Sequence, residues 1–338
     1  MEMADRPRLP MADCHDDLLM GVVHQQERGH PDPFGDFWLP QLRDGGVVLQ
    51  VLPIYTEEQF IGEGALRRAL RYVEAAWRIS EQHADDVALV TTAAELDAAL
   101  ASDRIALVLA FEGMEPVAHD VDLIDSFWRL GIRMASLTWN RRTLLADGLG
   151  ESATGAGLSS LGRAAIERME TLGMIVDVSH LADAGFEHVA EVASRPFVAS
   201  HSSCRAVHDH PRNLTDTMLR TIADSDGFAC MNAYGGFVGD DGPDVADYVE
   251  HLAHAVEVIG AGRVGLGLDF VADIFRQLDP IVGGVLLEPD QLGTIEGLER
   301  PADLAALGPL LVERFGETDA RSVASDTLVD GMRRLLPA

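Results

Sequence analysis

Eight apolar, β-branched runs, separated by amphipathic stretches, set the fold this chain can adopt. The runs span residues 11–17, 47–54, 105–112, 132–139, 174–180, 197–201, 227–232 and 264–269. Between or after them lie helical patterns at 63–82, 94–101, 121–130, 160–172, 183–193, 216–223 and 244–259. Ser160 and the Thr215-Asp216 pair stand where helix N-caps belong, and Gly173 and Gly260 where C-caps belong. The runs are almost continuously apolar, as parallel strands buried on both faces must be. Strands alternating with helices predict an α/β fold with a parallel sheet, and eight such units predict a (β/α)8 TIM barrel. An open, doubly wound sheet is the alternative. The reading is of one domain over 1–338, with a barrel core of about 11–275 and a C-terminal loop and helices over 276–338. Residues 302–315 and 320–335 carry helical patterns, and 279–297, rich in Gly, Pro and Leu, reads as a loop over the barrel mouth.

The polar residues favour the barrel. His15 and Asp17, Glu112, His180, His201 and Asp269 all fall at or just past the C-terminal end of a predicted strand. A closed barrel gathers those ends on one face, where active sites are built, whereas an open sheet spreads them along an edge. Residues two apart on a strand point the same way, so His15 and Asp17 project together. They suit one metal ion, and His180 with His201 suits a second. Glu112, between these pairs in strand order, is placed to bridge. Ligands that are all nitrogen and oxygen favour zinc, with other divalent ions able to substitute. Asp269, ending the last strand, can move a proton. Taken singly, each residue has a plain structural explanation, such as a strand-end histidine on a carbonyl or a Ser-His pair opening a helix. Taken together, they point to a metal site.

Composition narrows the chemistry. All 26 basic residues are arginine, so a P-loop, a Schiff base and a carbamylated-lysine bridge are excluded, because each needs a lysine amine. Any bridge between two metals must then be a carboxylate. The net charge of −29 repels nucleic acid and anionic membranes. Three cysteines in apolar surroundings, Cys14, Cys204 and Cys230, read as buried thiols rather than a disulfide framework. The polar start of the chain shows no signal-peptide core, and no apolar run approaches the length of a membrane span. The expectation is a soluble, cytoplasmic protein.

Six segments resemble the membrane (renal) dipeptidase family, within the amidohydrolase-like TIM barrels. They are Asp13-Cys14-His15-Asp16-Asp17, Phe111-Glu112-Gly113, the run from Gly173 to His180, Ser200-His201-Ser202, the run from His210 to Asp216, and the run from Gly265 to Phe270. The resemblance implies two zinc ions held by His15, Asp17, Glu112, His180 and His201, with Glu112 bridging. It implies that Arg212 receives the substrate's C-terminal carboxylate, with Asn213 beside it at the substrate, and that Asp269 is the acid/base. It implies hydrolysis of small dipeptides, in several members with a D-residue on the C-terminal side, and a homodimer. This chain departs from the family pattern at three places. Leu137-Thr138-Trp139-Asn140 carries Trp139 where the family often has a substrate-binding His. An indole offers an N–H but cannot carry a proton. Asp269-Phe270-Val271-Ala272 replaces Asp-Phe-Asp-Gly, and Ser325-Asp326-Thr327 stands in place of a Gly-x-Asn. These departures leave open a hydrolase of the same fold acting on a non-peptide amide, lactam or ester. A non-catalytic metal-binding relative is a third reading.

Overall fold

A computed structural model describes residues 9–240, 242–279, 293 and 295–338. Among the described residues, nine strands form one sheet: β1 (Met11–Asp13), β2 (Val47–Tyr55), β3 (Val87–Leu89), β4 (Ile105–Glu112), β5 (Ile132–Ser136), β6 (Ile175–Asp177), β7 (Phe197–Val198), β8 (Ala229–Met231) and β9 (Val264–Leu266). Their order is β7-β6-β5-β4-β2-β1-β9-β8, and every pairing is parallel. A parallel bridge between Ala199 and Ala229 joins the two ends of this path and closes the eight-stranded barrel. The eight expected strands are therefore the barrel strands.

β3 was not anticipated. It has three residues and pairs with the start of β4, Val87 opposite Ile105, while β5 pairs with β4 only from Leu109 onward. It widens the lower rim without entering the barrel circuit. The helix Leu18–Glu27 was also unmarked in the sequence. All six of its first residues are buried, so it lacks the one-sided period that betrays a surface helix. The short helix Val271–Gln277 follows Asp269 directly.

Alternation along the strands builds two cores. In β4, Ala106, Val108 and Ala110 face the barrel interior with Ala12, Leu49 and Val51, while Leu107, Leu109 and Phe111 pack under the surrounding helices. The interior does not end at the barrel's lower mouth. Leu328, Val329, Met332 and Leu335 of the last helix, Thr327–Leu335, belong to the same apolar cluster and plug that mouth. Gly331 lets that helix lie close, since a Cβ there would stand 2.6 Å from the Phe228 ring. The three thiols are free and buried, as expected. The expected loop over 279–297 lies for the most part outside the described residues. No helix among the described residues is long and apolar enough to cross a membrane.

Candidate metal centre and active site

Glu112 is the last residue of β4 and shares the inward parity of Ala106, Val108 and Ala110. It therefore points up the barrel axis at the C-terminal mouth. Gly113 follows with a positive φ of 89°, and its N–H donates to Ser136 Oγ at 3.0 Å. A Cβ at Gly113 would stand 3.1 Å from the Trp139 backbone nitrogen, so this tight exit from β4 favours glycine.

The other expected ligands do not lie within strands. His15 and Asp17 sit past the end of β1, His180 past β6, His201 past β7 and Asp269 past β9. The chain leaves the ladder first and then turns these side chains over the mouth. His180 (φ 71°) and Asp269 (φ 59°) adopt the left-handed conformation to do so. Such backbone costs on the order of 1–3 kcal/mol per residue and persists only where surrounding structure holds it.

The side chains converge on Glu112. Its Oε1 lies 2.8 Å from His180 Nε2, 3.5 Å from His201 Nε2 and 3.7 Å from His15 Nε2. His15 Nε2 is 3.8 Å from Asp17 Oδ2, and the His15 and His201 rings stack with centroids 3.6 Å apart. Among the described residues, two groupings of ligand atoms suit a metal ion: His15, Glu112 and His201, and His15, Asp17 and Asp269.

Hydrogen bonds behind the histidines assign their tautomers. Ser200 Oγ donates to Asp177 Oδ2 at 2.5 Å, so it accepts from His201 Nδ1–H at 2.6 Å. Asn140 Oδ1 accepts from His180 Nδ1–H at 2.9 Å. Both Nε2 atoms thus carry bare lone pairs. They face each other at 2.8 Å and face the Glu112 carboxylate as well. Three electron-rich atoms at that spacing repel unless a cation sits among them. Buried His15 Nε2 and Asp17 Oδ1 also have no hydrogen-bond partner. Outer-shell partners that fix a histidine's free nitrogen are the usual support of a metal ligand. The residues therefore fit the divalent ions that the ligand set implies.

The proton affinities agree. Burial, and then Arg212 and His15, hold His180 well below the ordinary histidine range; burial, His15 and Arg212 do the same to His201. Both are neutral and ready to ligate. Burial opposes a charge on His15, yet Glu112 and Asp17 outweigh it and raise its pKa to about 10. Burial pushes the Glu112 and Asp269 carboxyls upward. All three shifts mark a cluster short of positive charge.

A cavity of about 230 Å³ opens above these groups. Its polar side holds Asp17, Glu112, Asn140, His180 and Asp269. Asp269 Oδ2 accepts from Asn232 Nδ2 at 3.1 Å, and its backbone N–H donates to the His15 carbonyl at 3.0 Å. Trp139 forms part of the wall, its ring 5.2 Å from that of Tyr55 and 6.0 Å from that of His180.

Two residues expected at the substrate are not among the described residues that line the cavity. Arg212 is buried beside His201 with its guanidinium 5.7 Å from the ring of Phe237, a residue of the cavity wall. Its two terminal nitrogens donate to Ser202 Oγ (2.5 Å) and the His201 carbonyl (2.8 Å), and only its Nε lacks a partner. Burial lowers its pKa to about 10. Asn213 does not reach the cavity either. Its amide donates to the carbonyls of His208 (3.0 Å) and Phe237 (2.8 Å), tying two loops together. Its donors are spent on backbone, while its Oδ1 has no partner. Conversely, sequence reasoning passed over Asp177, Asn140 and Asn232. Asp177 lies three residues before His180, and Asn140 directly after Trp139, so both sat inside segments already singled out. Nothing in the sequence ties Asn232 to Asp269.

Residues 6–279 match the model of the membrane dipeptidase family, peptidase family M19. An uncharacterized dipeptidase of Schizosaccharomyces pombe is 30% identical over 288 residues, covering 77% of this chain and 69% of that protein. Dipeptidase verJ of Clonostachys rogersoniana is 30% identical over 207 residues, or 61% of this chain. The match spans only about half of that relative, 53% of its length. Among solved structures, the metallopeptidase called dipeptidase AC superposes with a TM-score of 0.85 at 24% identity, covering 98% of this chain and 100% of the other. A metallopeptidase of Rhodobacter sphaeroides, liganded with a phosphinate mimic of the dipeptide L-Ala-D-Ala, gives 0.84 at 23% identity, covering 97% and 100%. These superpositions bear out the barrel, and the sequence match bears out the family. The chain belongs to the membrane dipeptidase family of metal-dependent peptidases.

Proposed function

We propose that this protein is a binuclear zinc dipeptidase that cleaves small dipeptides, including those with a D-residue on the C-terminal side. The observation that carries the reading is the convergence of the His180 and His201 Nε2 lone pairs on Glu112, with His15 and Asp17 alongside. His15 and Asp17 would hold one ion, His180 and His201 the other, and Glu112 would touch both. When bound, two divalent ions supply Lewis acidity, polarising a carbonyl and making water acidic enough to attack near neutral pH.

The chain's own residues do the rest. Asn140, Ser200 and Asp177 hold the two imidazoles in the ligating tautomer. Asp269 accepts a proton from the attacking water at its carboxylate and returns it to the departing amine. Burial raises its proton affinity, which suits a group that must both take and give. Asn232 fixes the carboxylate's orientation. Trp139 and Tyr55 exclude water from one side of the cavity. Arg212 is assigned to the substrate's C-terminal carboxylate through its unpartnered Nε. The D-residue finds support in the Rhodobacter sphaeroides metallopeptidase, whose ligand mimics L-Ala-D-Ala.

The test is metal content together with turnover of paired L-L and L-D dipeptides. Two zinc ions per chain are expected, with hydrolysis abolished by a chelator and restored by zinc. Hydrolysis that persists at full rate after the metal is stripped would end the proposal. Turnover of a non-peptide amide, lactam or ester, with every dipeptide inert, would replace it.

A further inference from the structure

The cavity is chemically lopsided. Beside the carboxylates and His180, its wall is apolar and aromatic: Met20 of the helix Leu18–Glu27, Tyr55 at the end of β2, and Trp139, Tyr234 and Phe237. The roof is the helix Val271–Gln277, which turns Val271, Ile274 and Phe275 inward at i, i+3 and i+4, one face of a helix. Among the described residues, no arginine lines the space. Two arginines lie behind the wall with their terminal nitrogens engaged. Arg141 packs under the Tyr55 and Trp139 rings, and its terminal nitrogens donate to Glu115, Glu58, the Thr56 carbonyl and the Tyr55 hydroxyl. Arg212 is engaged with Ser202 and the His201 carbonyl.

We propose that this cavity selects dipeptides whose side chain faces the Val271, Ile274 and Phe275 roof with an apolar group, and that it rejects acidic and basic side chains there. The inference rests on the dipeptidase reading and names its substrate class. An acidic side chain under this roof meets no cationic side chain among the described lining residues, Arg212 being assigned to the C-terminal carboxylate, and Asp17, Glu112 and Asp269 add negative potential across the cavity. A basic side chain must leave water for hydrocarbon, and the carboxylates below are occupied with ligation and proton transfer. An apolar side chain loses nothing and buries surface against eight hydrophobic or aromatic neighbours.

The experiment compares kcat/KM for dipeptides in which each position in turn is Ala, Leu, Phe, Asp or Arg. At the position facing the roof, Leu and Phe are expected to exceed Ala by about tenfold or more, and Asp and Arg by about a hundredfold or more. Val271→Asp should raise the Arg-to-Leu ratio by about tenfold or more, a gain that general damage to the fold does not produce. The same panel titrated calorimetrically into zinc-loaded Asp269→Asn protein reads selectivity as affinity, without turnover. If the wild type cleaves no dipeptide, the catalytic reading fails, and the calorimetric ratios still decide this one. Equal handling of Leu, Asp and Arg side chains at both positions, within about threefold in rate or in affinity, would overturn the proposal.

Discussion

The two mouths of this barrel are built from the same strands and have opposite chemistry. At the lower mouth, interior side chains are small or aliphatic, and the helix Thr327–Leu335 closes the opening with Leu328, Val329, Met332 and Leu335. The plug meets the interior as one apolar cluster. At the upper mouth the same inward register ends in Glu112, and the flanking loops bring in His15, Asp17, His180, His201 and Asp269. There the chain tolerates two left-handed residues, facing lone pairs and buried carboxyls with raised proton affinity. One end of a closed barrel can carry such strain because the remainder, including the plug, holds the strand ends in place.

The comparison breaks if changes at the upper mouth cost stability, or changes at the lower mouth cost only catalysis. The largest effect is expected for Asp269→Asn. Removing the proton carrier should reduce kcat by about 10²–10⁴-fold. Asparagine accepts a left-handed φ as readily as aspartate does, so the turn at 269 survives. It also removes a buried carboxyl whose charge is disfavoured by burial. Urea denaturation of the metal-stripped variant should show stability equal to or above wild type, and a marked loss would refute the assignment of strain to this mouth.

Met332→Ala tests the other end. Met332 is fully buried in the interior cluster. Truncation there should cost about 2–5 kcal/mol of unfolding free energy. At temperatures where the variant remains folded, kcat/KM should match wild type. A large loss of kcat/KM with a native melting profile would show that the plug communicates with the site.

The same contrast explains what could be read from the sequence. Strand existence was legible because parallel strands buried on both faces leave long apolar runs. Their ends were not: the run over 174–180 yields a strand of only Ile175–Asp177, because the backbone abandons the ladder to aim His180. The ligand types were legible because imidazoles and carboxylates at strand ends are conspicuous in an apolar run. The supporting polar network was less so. Ser200 and Asn140 look like ordinary loop residues until the fold sets them behind His201 and His180. Helix Leu18–Glu27 escaped because burial on all sides of its first turns erases periodicity. The bracing of Ser202 and the His201 carbonyl by Arg212 was not legible either, because those contacts arise only in the fold.

The smallest expected effect separates two kinds of buried histidine. His251 is fully buried, yet both its nitrogens are satisfied by the protein: Nδ1 accepts the Cys204 N–H and Nε2 donates to the Val238 carbonyl, each at 3.0 Å. Burial lowers its pKa below the ordinary value of 6.5. The unfolded chain then takes up a proton near pH 6.5 that the folded chain refuses. Stability from this group is complete above about pH 6.5 and declines as pH falls toward the lowered folded value, by up to about 1.4 kcal/mol per pH unit. His180 and His201 shift the same way, but their Nε2 atoms face each other instead of protein donors. In metal-stripped protein all three histidines should contribute to an acid-side loss of stability. His251→Gln should remove one share of the slope below about pH 6.5 without altering zinc stoichiometry. Urea denaturation across that range reads the slope, and metal analysis of the same variant reads the site. An unchanged slope would show that His251 is protonated in the fold, and a loss of zinc would show that it belongs with the ligands rather than apart from them.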